Sequence, residues 1–159
     1  MLAVAIVVYA TAMVAANLSV AAFGPWVTPI NAFLLIGLDL ALRDWLHLRL
    51  RMSQMAALIG VSGLLTYLLN PAAGIIAIAS ASAFTLAAIA DWSVFIAVRG
   101  SWLKRANASN VVGAAVDSLV FPTIAFGALL PHIVAMQFVA KVAGGALWAF
   151  LLNRHQRPA

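Results

Sequence analysis

Residues 104–130, KRANASNVVGAAVDSLVFPTIAFGALL, decide how the chain is to be read. Two cations stand at one end, and from Asn107 to Leu130 the only charge is Asp117. At ~1.5 Å of rise per residue such a run is long enough to cross the ~30 Å hydrocarbon core of a bilayer. An aspartate near its middle costs roughly 3 kcal/mol or more in lipid unless it faces protein, a partner or water. The run therefore reads as a membrane helix with one polar side turned into a bundle.

The rest of the chain repeats the pattern. Hydrophobic residues make up 65% of the 159 and charged residues 8%, too few charges to coat a soluble domain. The mean hydropathy of +1.08 agrees. Six spans can be drawn, over residues 2–23, 28–47, 53–70, 72–98, 107–130 and 133–153, with turns at Gly24-Pro25, Asn70-Pro71 and Pro131-His132. The early part of the fourth, with Pro71, Gly74, Ser80 and Ser82, is expected to be irregular or re-entrant. Arg49 and Arg51, then Arg99, Lys104 and Arg105, then Arg154 and Arg157 follow alternate spans, while the other turns carry no cation. The positive-inside rule puts that side, and both termini, in the cytoplasm. The expected fold is thus an all-α integral membrane protein, one domain over residues 1–159, built as a six-transmembrane-helix bundle. The first run lacks the basic leader of a signal peptide and is read as a span.

The net charge of +5 could suggest nucleic acid, but the cations sit where apolar runs end, so no nucleic-acid partner is expected and the bilayer is. There is no cysteine, hence no disulfide, thiolate or cysteine-ligated zinc. His47, His132 and His155 fall at helix ends or in the tail without metal-ligand spacing. No phosphate loop, nucleophile elbow or zinc-protease motif appears, so neither a metal nor a cofactor is expected, and an intramembrane enzyme or a purely structural subunit is the lesser alternative. Trp26, Trp45, Trp102 and Trp148 lie near span ends and suit an aromatic belt.

What remains is a set of charges at depth. Counted from the basic flanks at ~1.5 Å per residue, Asp39 lies about 15 Å into the membrane, Asp91 about 12 Å, Asp117 about 18 Å and Lys141 about 20 Å. Four charges on four helices converge near mid-membrane. Arg43 follows Asp39 at i+4, where the two share a helix face as an ion pair. Asp44 is expected to be a solvated partner of Arg49 or Arg51, and Lys141 to pair with Asp117 or Asp91. Asn107 and Asn110 add donors and acceptors, and Trp92, beside Asp91, either packs in the core or stacks on a flat ligand. Asp39, Arg43, Asp91, Asp117, Lys141, Asn107, Asn110 and Trp92 are the candidate substrate-binding residues.

Several segments resemble the queuosine-precursor transporter family, also called the vitamin-uptake-transporter-like family. Residues 37–46, GLDLALRDWL, resemble its second-span pattern of a buried Asp with Arg four residues later. Residues 77–98, AIASASAFTLAAIADWSVFIAV, resemble a small-residue span ending in D-x-x-x-F, here Asp91 and Phe95. Residues 102–126, WLKRANASNVVGAAVDSLVFPTIAF, resemble the family's run of a basic residue, Asn or Thr, Ser and small residues before D-[ST]-L-x-F-x-x-I-A-F. Lys141 in FVAKVAGGALW resembles the lysine of the last span. The chain is more compact than the family pattern, with very short loops. The resemblance implies a bacterial inner-membrane importer of 7-cyano-7-deazaguanine or its aminomethyl analogue, precursors for queuosine in tRNA. Such a planar base offers donors beside an acceptor, and carboxylates, amides and aromatics can read it. The six-helix size also resembles substrate-binding subunits of energy-coupling-factor vitamin transporters, so an ATPase module, or a homo-oligomer, stays open as a partner.

Overall fold

The computed structural model describes residues 1–154; His155 and Arg157 lie outside them, as does the side chain of Arg154. Every regular element among the described residues is helical: α1 (Leu2–Phe23), a 3-10 turn (Gly24–Val27), α2 (Thr28–Asn31), a π turn (Ala32–Ile36), α3 (Gly37–His47), α4 (Met52–Leu69), a 3-10 turn (Pro71–Ala73), α5 (Gly74–Ala97), α6 (Trp102–Phe126) and α7 (Pro131–Arg154). Five stretches are long and apolar enough to cross a membrane, of which the first, Leu2–His47, runs for 46 residues and contains two of the expected spans. Gly24, with φ of 73°, interrupts it in the left-handed region that suits glycine. Beyond the turn, α3 packs back against α1.

Local chemistry sets the other boundaries. The Ser101 hydroxyl accepts from the Lys104 backbone N–H at 3.3 Å, so α6 begins at Trp102, five residues before the expected Asn107. It ends at Gly127, whose left-handed φ of 68° closes the last turn. The Asn70 side chain accepts from Ala72 N–H at 3.1 Å and starts the turn into α5. The irregularity expected around Pro71 is confined to residues Pro71–Ala73, and α5 then runs unbroken past Ser80 and Ser82.

The bundle is inverted relative to a soluble protein. Val7, Leu68, Ile89 and Val139 point outward, while Asn17, Asp39, Arg43, Asp44, Asp91, Asp117 and Lys141 are buried. Lipid can solvate the first group and not the second. Glycine lets two helices meet backbone to backbone. A Cβ at Gly37 would stand 2.7 Å from the Gly144 carbonyl carbon, and one at Gly144 would overlap the Phe33 carbonyl. This seam joins α3 and the π turn to α7, as small residues do in membrane interfaces. The Trp148 indole N–H donates to the Leu34 carbonyl at 3.0 Å across the same seam. A second glycine, Gly113 of α6, sits against Asp91 of α5, where a Cβ would come within 3.2 Å of the Asp91 Cβ.

Candidate functional site

α1, α2, the π turn, α5, α6 and α7 line a partly open cavity of about 330 Å³. It is narrow: only about 30 Å³ can take the centre of a water molecule, room for about two waters. Asn17, Thr28, Asn31, Ser80, Asp117, Gln137 and Lys141 supply its polar wall, and Phe84 and Phe121 its aromatic one.

Lys141 is the organiser of the polar wall. Its ammonium lies 2.5 Å from Asp117 Oδ2 and donates to Gln137 Oε1 at 2.8 Å and Ser118 Oγ at 3.2 Å. Three partners match the three protons of the group. This leaves Asp117 Oδ1 as an acceptor and Gln137 Nε2 as a donor without hydrogen-bond partners, both buried. At the other end, Asn31 Nδ2 donates to Ser19 Oγ at 2.6 Å and to the Ala16 carbonyl at 3.2 Å. Asn17 Nδ2 donates to Thr66 Oγ1 at 3.2 Å, tying α1 to α4.

A second buried layer lies behind Phe84. The Arg43 guanidinium sits over that ring, 5.4 Å from its centroid, a cation–π contact. Tyr9, Asp39, Asp91 and Asp117 are its electrostatic neighbours. Asp39 and Arg43 share a face of α3 as their spacing predicts, yet no ion pair joins them; among the described residues the ion pair is Asp117–Lys141. Asp44 departs most from expectation. It is fully buried, and the Ser109 hydroxyl is 3.2 and 3.3 Å from its two oxygens. Arg49, its expected partner, instead stacks 3.6 Å above the Trp45 ring and donates to the Trp45 carbonyl. Packing explains this: α3 lies against α6 and α7, and the Ser109 hydroxyl of α6 meets the Asp44 carboxylate inside the bundle.

The expected site residues thus divide. Asp117 and Lys141 line the cavity. Asp39, Arg43, Asp91 and Asn110 are buried outside its lining, Asn107 is half-buried, and Trp92 is exposed on the outer surface. Gln137 was not among the expected residues. Its signal was a lone amide one helical turn before Lys141 in an apolar run.

No curated protein and no solved structure matches the chain. A family model described as "Putative vitamin uptake transporter" matches residues 1–152. A bundle of apolar helices around a small polar cavity, matched by that model over nearly its whole length, belongs to the vitamin uptake transporter family and is a multi-pass membrane protein of small-molecule uptake.

Proposed function

We propose that the protein imports 7-cyano-7-deazaguanine or its aminomethyl analogue across the bacterial inner membrane, with six crossings and both termini in the cytoplasm. The observation that carries this reading is the pair of unpartnered groups on the cavity wall, Asp117 Oδ1 and Gln137 Nε2. One accepts and one donates, which is what the amide-like edge of a deazaguanine requires. Buried polar groups without partners are rare and costly, and a ligand edge that satisfies both removes the cost. Phe84 and Phe121, on the same lining, offer faces to a planar ring. Asp39, Arg43, Asp91 and Asn110 are buried outside that lining, while Asn107 is half-buried and Trp92 exposed.

The cavity is too tight for a bicyclic base in this conformation, so loading requires the helices to part. That is the behaviour of a carrier that alternates between openings, not of a rigid pore. The test is growth of a strain unable to make queuosine precursors, supplied with 7-cyano-7-deazaguanine and expressing this chain. Queuosine should return to its tRNA. Failure to restore it with the chain inserted in the membrane removes the substrate, and rescue only beside an energy-coupling ATPase would make the chain a binding subunit.

A further inference from the structure

A second cluster of titratable side chains lies outside the cavity lining. Asp44 and His47 of α3 and Asp91 of α5 bring ligand atoms within 4.8 Å of one another. Asp44 and Asp91 are fully buried. No donor in good hydrogen-bond geometry meets either oxygen of Asp91, and no partner meets either ring nitrogen of His47, among the described residues; the Ser109 hydroxyl, beside the Asp44 oxygens, also donates to the Ala106 carbonyl.

The charges that face the cluster can be counted helix by helix. α1 offers Tyr9 and α3 offers Asp39 and Arg43. α5 carries no charge besides Asp91. On α6, Lys104 is exposed, Arg105 is turned away to the Phe95 carbonyl and ring, and Asp117 is held by Lys141, the buried charge of α7. α4 has only Tyr67 between its ends, and that is exposed. Among the described residues one cation without an ion pair, Arg43, therefore faces Asp39, Asp44 and Asp91. Two ionised carboxylates side by side in such a place repel strongly, and the local charge lacks a cation.

We propose that Asp44 and Asp91 bind one proton between them, that His47 passes it to water on the basic side of the bundle, and that this proton drives uptake. A proton suits the site better than a metal ion. The Arg43 charge opposes a dication, and sodium prefers an all-oxygen shell to an imidazole, whereas imidazole is the side chain suited to proton relay. His47, one turn beyond Asp44 and beside the exposed Arg49, is half-buried; both its ring nitrogens are shielded from water in this conformation, so release requires the imidazole to turn outward toward Arg49. The proton moves from the carboxyl pair to a His47 nitrogen and from there to water, with no other bond made or broken. The coupling part of this inference rests on the transport reading above; the proton site does not.

Infrared difference spectroscopy of the purified protein in lipid, titrated with acid, tests the site directly. The carbonyl stretch of a protonated carboxylic acid should appear in the wild type, vanish in both Asp44→Asn and Asp91→Asn, and persist in Asp117→Asn. Absence of the band, its survival in both cluster variants, or its removal by added Zn²⁺ or Na⁺ would overturn the proposal. In liposomes, 7-cyano-7-deazaguanine added outside should acidify the lumen for the wild type. Asp44→Asn should keep substrate exchange between the two sides while losing that acidification. Uptake without acidification in the wild type would end the coupling claim, and an absence of any exchange in the wild type would end the substrate reading while leaving the infrared result standing.

Discussion

Lys141 and Asp117 meet at 2.5 Å with both side chains almost wholly buried, the ammonium of α7 reaching across to the carboxylate of α6. Each would be insupportable alone. Removing one partner of a buried pair strands the other, at about 3–5 kcal/mol. Lys141→Met is therefore expected to lower the thermal midpoint sharply in detergent. The double variant Lys141→Met with Asp117→Asn should regain most of the stability and none of the uptake. Paired melting and transport assays check both halves, and equal melting of the single and double variants would contradict the pair's structural weight.

Gln137 gives a cleaner handle on the ligand. Gln137→Leu keeps the volume and removes the unpartnered donor, along with one acceptor of Lys141. A ligand carbonyl left unpaired costs about 1–3 kcal/mol, so half-saturation of uptake should rise by roughly tenfold or more. Trp92→Leu, on the exposed face, should leave it unchanged.

The two glycines at opposite extremes of crowding make a matched pair. At Gly144 a methyl group would overlap the Phe33 carbonyl, while at Gly60 it would meet nothing within 4 Å. Gly144→Ala should cost at least the ~1–3 kcal/mol of an overpacked core and reduce the yield of folded protein. Gly60→Ala should be neutral or slightly stabilising. Fluorescence-detected size exclusion after heating would separate them.

Orientation can be read by labelling. Cysteines placed at Pro71 and His132 should react with an impermeant reagent from outside, and one at Lys104 should not, because Arg49, Arg51, Arg99, Lys104 and Arg105 share one side of the chain's turns. The reverse pattern would invert the assignment.

The helices and the charges at depth were legible because lipid imposes long apolar runs and makes each exception conspicuous. The pairing of Lys141 was narrowed from residue spacing to Asp117 or Asp91, and packing chose Asp117. Rotation about each helix axis was not legible. It is set by tertiary packing, here of α3 against α6 and α7, which turned Asp44 from an expected surface partner into a buried acid. Trp92 illustrates the same limit: adjacency to Asp91 in sequence puts it about 100° away around the helix, here on the outside.

The glycine seam also constrains movement. With Gly37, Gly144 and Phe33 in backbone contact and no side chain between them to reorient, α3 and α7 turn as one body. The wall of the cavity free to swing is then α1, which Asn17 and Thr66 tie to α4. Across the cavity α1 is latched by the Asn31 amide, through two hydrogen bonds to Ala16 and Ser19. At roughly 1 kcal/mol each, that is a catch which thermal motion releases often, and a ligand competing for Asn31 would hold it open.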